Sequence, residues 1–290
     1  FVPARKTTLT ADDTIRNPPP GFKPLAWEGV RLFVPQRWEI GRREGNARKG
    51  FFRVDNDTRI VIQLRWWTAA RPVPIGRLVE QHARTVSAPG SSSPPRFRQA
   101  DGFTLPAAPS DPAAVFVAET TAEQPGPGGG EVLVVWQRPS VARVLMARFL
   151  IEGGQPDAAQ MRAILSGLRL QGQDEDRDWA VHDLSVRTPP GYSLLEAHLY
   201  AGVVHLEFAR GRQRIALRRF SAADAVMGLE HPRADDLERW CRRVYAQEFY
   251  DMRYRIEPMT DPAGRPGLRL TGSRRLLAPI EMKWLIPKHR

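Results

Sequence analysis

The side chains that carry most enzyme chemistry are sparse and widely spaced in this chain. Its six histidines stand at positions 82, 182, 198, 205, 231 and 289, and no two of them form an HxH or HxxxH pair. Those spacings would place two imidazoles on one face of a strand or helix. His182 precedes Asp183, but neighbours on a strand point to opposite faces and make no dyad by themselves. The pattern predicts no catalytic residue, no metal ligand set and no cofactor.

Two further motifs are better explained by structure than by chemistry. The glycine-rich stretch Gly126–Gly130 lacks the Lys-Ser/Thr that a phosphate-binding loop requires, and it links strand to strand, so we interpret it as a flexible loop. The single cysteine, Cys241, excludes an internal disulfide and any multi-cysteine metal site. It falls within a helical pattern, which favours a buried structural thiol.

The charge balance is basic but not decisive. The chain has 43 Lys plus Arg against 32 Asp plus Glu, a formal net charge of +11. Most of the cations are arginines, which a GC-rich genome also produces without selection for binding. The densest group, a candidate face for an anionic partner such as nucleic acid, comprises Arg210, Arg212, Arg214, Arg218 and Arg219.

The hydrophobic periodicity predicts the strands and helices that position the candidate side chains. Residues 1–24 are a Pro-rich arm that runs extended over a surface. A strand at Val30–Val34 is followed by a hairpin that turns at Asp55–Asp57. In its second strand one face carries Ile60, Ile62, Leu64 and Trp66. Trp67 then lies on the opposite face, where we expect a helix of the same domain to cover it; the alternative is an exposed Trp that stacks a base or anchors a partner. A helical pattern starts near Ile75.

The same α+β unit continues to residue 171, so that the first predicted domain is 25–171. A strand at Ala113–Glu119 precedes a second hairpin, and an amphipathic helix follows Pro156. Residues 172–178 are acidic and polar and are predicted to be a linker.

Residues 179–290 repeat this order of elements. Leu64 aligns with Leu217 at an offset of 153, and Pro35 aligns with Pro189 at an offset of 154. A helical pattern and further strands follow in both halves. The pattern predicts two tandem α+β domains, each an antiparallel sheet packed against helices, the second one incomplete.

Two stretches of the first half, "WEGVRLFVPQRW" and "GFFRVDNDTRIVIQLRW", together resemble the Mog1/PsbP-like α/β/α sandwich superfamily. The likeness covers about forty positions in the first half and is weaker in the second. It implies a mainly non-enzymatic accessory protein that docks onto a small GTPase or a membrane photosystem, and it carries over no catalytic residue.

The second half stops at Arg290, before the hairpin and helix that close the first. We expect Pro279–Ile286 to be an edge strand with unpaired backbone groups. A protein partner would extend this edge through the apolar side chains of Ile280, Met282, Trp284 and Ile286. The alternative is that further chain follows and completes the sheet.

Three classes of function stay open from the sequence. The favoured class is a non-enzymatic accessory or scaffold protein that mediates protein–protein assembly in a larger complex. The alternatives are a nucleic-acid-binding protein that uses the arginine-rich sheet face, and an enzyme with an inter-domain site. No window of about 18 apolar residues predicts a transmembrane segment, and a cytoplasmic location is favoured with export left open.

Overall fold

The computed structural model describes residues 18–87, 94–108, 110–119, 129–152, 157–182, 184–200, 202–220, 234–246, 250, 252–260 and 266–274. The predicted partner edge, Pro279–Ile286, lies outside these residues, as does most of the Pro-rich arm. The described part is an α+β fold dominated by antiparallel strands. None of its helices combines the length and the apolar character that crossing a bilayer requires.

The first strands and helices, in chain order, are β1 (Phe22–Trp27), β2 (Val30–Pro35), β3 (Glu39–Gly45), β4 (Lys49–Asp55), β5 (Ile60–Thr68), α1 (Ile75–Val86), β6 (Phe97–Gln99), β7 (Ala113–Ala118), β8 (Gly129–Arg138), β9 (Arg143–Glu152) and α2 (Ala158–Ser166). The later ones are β10 (Arg169–Leu170), β11 (Arg177–Val181), β12 (Leu184–Thr188), β13 (Ser193–Tyr200), β14 (Val203–Arg210), β15 (Gln213–Phe220), α3 (Ala234–Val244), β16 (Met252–Thr260) and β17 (Pro266–Arg274).

A seven-stranded antiparallel sheet, in the order β3-β4-β5-β9-β8-β7-β6, carries most of the first half. The predicted alternation along β5 is confirmed, because Ile62, Leu64 and Trp66 are buried whereas Arg65 is exposed. The predicted position of Trp67 is also confirmed. It packs on the opposite face against a cluster in which α1 supplies Leu78 and Val79.

A second sheet, in the order β10-β2-β1-β11-β12, joins residues from both halves of the sequence. Its central strands β1 and β11 run antiparallel, with Ala26 opposite Ala180. These two residues are 154 positions apart, the offset that also relates Pro35 to Pro189. The rings of Trp27 and Trp179 meet edge to face beside them, with centroids 5.6 Å apart.

The hairpin that joins β1 to β2 turns at Glu28 and Gly29. Both residues have positive φ, 49° and 78°, which is the conformation of a two-residue type I′ turn. In β11–β12, His182 occupies the position corresponding to Glu28 and has a φ of 52°. Two non-glycine residues, 154 positions apart, thus share this uncommon conformation at the first position of the turn.

By backbone contacts the chain divides into two compact units. One comprises Phe1–His198 with His205–Leu217, and the other comprises Leu199–Val204 with Arg218–Arg290. This division differs from the predicted domains 25–171 and 179–290. The predicted linker 172–178 ends inside β11, where the side chain of Asp178 is almost fully buried.

Candidate functional site

The arginines predicted to face an anionic partner lie on or next to strands β14 and β15. Arg210 ends β14 and Arg212 lies in the turn, whereas Arg214 is on β15; all three are exposed and belong to the first compact unit. Arg218 is exposed and Arg219 half-buried in the second unit.

Several side-chain and backbone contacts hold Arg210. Its guanidinium carbon lies 4.7 Å from the centre of the Tyr192 ring, a cation–π distance. The same guanidinium donates to the side-chain oxygen of Gln213 at 2.8 and 3.2 Å and to the carbonyl of Pro190 at 3.3 Å. Gln213 also accepts from the hydroxyl of Tyr192 at 3.0 Å. These contacts hold an exposed arginine in one orientation.

A different group of side chains has the composition of a metal site. Glu196, His198 and His205 each offer one ligand atom, and these atoms all lie within 4.8 Å of one another. Nε2 of His198 is 2.7 Å from Oε1 of Glu196, and the imidazoles of His198 and His205 stack with centroids 5.7 Å apart. We call these three residues the surface cluster. Imidazole and carboxylate ligands together suit Zn²⁺ and related transition-metal ions.

The β1–β2 turn holds a second ionic group, in this case buried. Glu28, Arg143 and Arg177, which we call the turn cluster, are each at most 4% exposed. Arg143 donates to the carbonyl of Glu28 at 2.9 Å and also to the carbonyl of Gln171. Nη1 of Arg177 lies 3.6 Å from Oε2 of Glu28. Within the described residues, that oxygen and Nε of Arg177 are buried without a hydrogen-bond partner.

Burial dominates the electrostatics of the turn cluster. It raises the pKa of the Glu28 carboxyl from 4.5 to about 7, although the nearby charges of Arg177 and Arg143 act in the opposite direction. Burial also lowers the pKa of Arg143 to about 10 and lowers the pKa of Arg177. A carboxyl whose pKa is raised this far is a candidate functional group. Its charged neighbours are two arginines, one of which donates to backbone carbonyls, and this is also the arrangement of a structural ion network.

A cleft of about 460 Å³ lies beside the second sheet and mixes both signs of charge. The carboxylate of Asp178 in its wall accepts from Arg187 at 2.8 Å and from Arg31 at 3.2 Å. Arg138 forms two hydrogen bonds to Glu175, at 2.6 and 2.7 Å. Because these arginines already hold carboxylates of the same chain, the cleft presents a nearly balanced surface rather than a strongly anionic or cationic one.

A half-buried histidine contacts a carboxylate on the seven-stranded sheet. Nε2 of His82 on α1 is 2.6 Å from Oε1 of Glu131 on β8, and Nε of Arg148 on β9 is 2.8 Å from the other oxygen. The ring of His82 also packs against Phe97. These contacts tie α1 to the sheet, which is a packing role for His82.

Sequence reasoning did not find either cluster. The surface cluster escaped a search for HxH and HxxxH because its histidines stand on two strands, seven positions apart around a short connection. The usable signal was a Glu-x-His pattern near the end of one strand, followed by a histidine at the same distance from the start of the next strand. The turn cluster gave no local signal, because a Glu-Gly turn is not one of the usual Asn-Gly or Asp-Gly hairpin turns.

Comparison with known proteins gives no relative for this chain. No protein-family model matches it, and neither the curated proteins nor the solved structures contain a match.

Proposed function

We propose that this chain is a non-enzymatic accessory module with a duplicated Mog1/PsbP-like fold. Support for the duplication comes from the pairing of Ala26 with Ala180, since residues at the repeat offset of 154 then lie opposite each other. The hairpin β4–β5 followed by α1, and the hairpin β14–β15 followed along the chain by α3, repeat one order of elements. Such a duplicated scaffold suits a protein that presents surfaces to partners.

We infer that the exposed arginines of the β14–β15 hairpin dock an acidic segment of a partner protein. The observation that carries this proposal is the anchoring of Arg210 on Tyr192 and Gln213. An arginine already held in one orientation loses little conformational freedom on binding, and Arg and Tyr are the side chains that most often dominate protein interfaces. Arg212 and Arg214 are further exposed positive charges of the same hairpin.

Charge alternation on this hairpin favours a protein partner over a nucleic acid. Arg214 contacts the carboxylate of Glu207 at 3.3 Å, and exposed Glu196 lies on the neighbouring strand β13. A phosphate backbone is a continuous line of negative charge, so interspersed carboxylates weaken its binding. A protein surface of mixed charge can match the same alternation.

The test is a pull-down from the source organism with nuclease-treated lysate and the full chain as bait. The bait variant Arg210→Glu/Arg212→Glu/Arg214→Glu reverses the proposed surface. The matched control reverses three other exposed arginines of the first compact unit, Arg48→Glu/Arg71→Glu/Arg77→Glu, and so has the same net charge. Quantitative mass spectrometry compares the captured proteins.

We expect a small set of acidic proteins that the wild-type chain and the control retain and the hairpin variant loses. Equal capture by both variants would show that net charge alone attracts the proteins, and the docking proposal would fail. Capture that disappears with nuclease would favour the nucleic-acid alternative.

A further inference from the structure

We propose that Glu196, His198 and His205 form a site for a divalent transition-metal ion of the Zn²⁺ class. The three ligand atoms already lie within 4.8 Å of one another. Two ligands on a tetrahedral Zn²⁺ lie about 3.3 Å apart, given metal–ligand bonds of about 2.0–2.1 Å. Small side-chain rotations, each moving a ligand atom by about 1 Å, therefore close the three groups around one ion.

The strands bring these residues together for a geometric reason. Glu196 and His198 are two positions apart on β13, so their side chains leave the same face. β13 and β14 are neighbours in a three-stranded sheet. His198 lies two residues before the end of β13, and His205 lies two residues after the start of β14. Across a short connection such positions face each other, as the 5.7 Å separation of the rings indicates.

The backbone that carries the ligands is held from outside the hairpin. Nη2 of Arg43 on β3 donates to the carbonyl of Ala197, between the two ligands on β13, at 3.0 Å. The guanidinium carbon of Arg43 in turn lies 4.9 Å from the centre of the Trp27 ring. Ligands that are held before binding lose less conformational entropy when the metal binds.

The ligand chemistry selects the class of ion. Two imidazoles and one carboxylate suit Zn²⁺, Co²⁺, Ni²⁺ and Cu²⁺, whereas Ca²⁺ and Mg²⁺ prefer six or more oxygen ligands. Glu207 extends the same side of β14 beyond His205, but it contacts Arg214 on β15. Three protein ligands leave a tetrahedral ion with one position for water or for a group from another molecule. The side chains of Glu196 and His198 are 51% and 40% exposed, so that position opens to solvent.

The decisive experiment is isothermal titration of tag-free, metal-free full chain with Zn²⁺. We expect one ion per chain for the wild type. His198→Ala and His205→Ala should each raise the dissociation constant at least about tenfold, and Glu196→Gln should raise it as well. The matched control is His182→Asn, because His182 also contacts a carboxylate, Glu39, at 3.1 Å. Asn tolerates the positive φ of that position, so the control should bind Zn²⁺ like the wild type.

A second measurement keeps the proposal testable if a variant does not fold. Co²⁺ bound to the wild-type chain reports its coordination directly, since tetrahedral Co²⁺ absorbs visible light much more strongly than octahedral Co²⁺. Strong absorption that added Zn²⁺ removes supports the site. No binding heat in the wild type, Zn²⁺ affinity that His198→Ala and His205→Ala leave unchanged, or weak octahedral absorption would each overturn it.

Discussion

The turn cluster and the surface cluster are built alike but lie in different environments. Each is associated with a β-hairpin, and each sets one glutamate against two nitrogen-bearing side chains. The side chain of Glu28 is 5% exposed, whereas that of Glu196 is 51% exposed. Arg143 donates to backbone carbonyls near the turn. The side chain of His198 is 40% exposed, and His205 is half-buried.

This difference teaches that burial decides what an ionic cluster can do. A buried charge has lost its hydration and depends on its few protein partners, so removing one partner costs much stability. A cluster whose side chains are partly exposed is screened by water and adds less to stability, and an ion from solution can reach it. We therefore assign the turn cluster to folding and the surface cluster to binding.

The largest effect on stability is expected when the side chain of Arg143 is replaced. Arg143→Met removes the donor to the carbonyl of Glu28 and one of the two positive charges near the buried carboxyl, which keeps only Arg177. We expect the free energy of unfolding to fall by about 3–5 kcal/mol, because a buried network of charges and backbone carbonyls loses one of its members. Urea unfolding followed by tryptophan fluorescence measures it. The exposed control Arg84→Ala should change it by less than about 0.5 kcal/mol. Equal losses in both variants would contradict the assignment.

The second-largest effect is expected in the pH dependence of stability, through the titration of Glu28. Its pKa is raised in the folded chain from 4.5 to about 7, so the folded state holds a proton that the unfolded state releases. The favourable contribution is complete below about pH 4.5 and is lost as the pH rises through about 7. The loss amounts to about 3 kcal/mol.

Glu28→Gln removes this titration while it keeps the shape of the side chain. We expect the variant to gain stability relative to the wild type as the pH rises from 5 to 8, measured as the difference between their urea unfolding free energies. A difference that stays constant over this range would rule out titration of Glu28 there.

The two glycines Gly29 and Gly21 sharpen the comparison further. Both have positive φ, but an added Cβ at Gly29 would lie 2.5 Å from Nη1 of Arg143, whereas Gly21 has nothing within 4 Å. Gly29→Ala should lower the free energy of unfolding by about 2–3 kcal/mol, because the backbone is strained and Arg143 is displaced. Gly21→Ala should lower it by about 1 kcal/mol, because only the backbone is strained. Thermal unfolding of the two variants compares them. Equal losses of stability in the two variants would mean that the side chain of Arg143 moves away from the added Cβ without cost.

The smallest effect is expected at the surface cluster without metal. His205→Ala should change the unfolding free energy of the metal-free chain by less than about 1 kcal/mol, because His205 is only half-buried and the neighbouring side chains of Glu196 and His198 are 51% and 40% exposed. A larger loss, measured by urea unfolding in the presence of a chelator, would mean that the cluster supports the fold.

Local periodicity was sufficient to predict several elements. The alternation in β5, the Asp55–Asp57 turn and the helix from Ile75 are all confirmed, because neighbouring residues alone determine them. The helix around Cys241 and the burial of its thiol are confirmed for the same reason. Burial raises the pKa of this thiol, as expected of a structural cysteine.

The features that could not be predicted depend on pairing between strands that are far apart in the sequence. Nothing near Trp27 in the sequence indicates that β1 pairs with β11, so the second sheet and the burial of Glu28 could not be predicted. Phe22–Pro24, expected in an extended arm, instead begin β1 because β2 supplies the pairing strand. The surface cluster needed the β13–β14 pairing before its histidines could be placed together.

The most direct test of the assignment is the stability of the wild type and His205→Ala chains with and without Zn²⁺. Urea unfolding at a free Zn²⁺ concentration of about 100 times the dissociation constant should raise the wild-type unfolding free energy by about 2.7 kcal/mol. His205→Ala should gain much less at the same concentration. If the wild type gains nothing, or if both chains gain equally, the surface cluster does not bind the ion and the distinction between the two clusters fails.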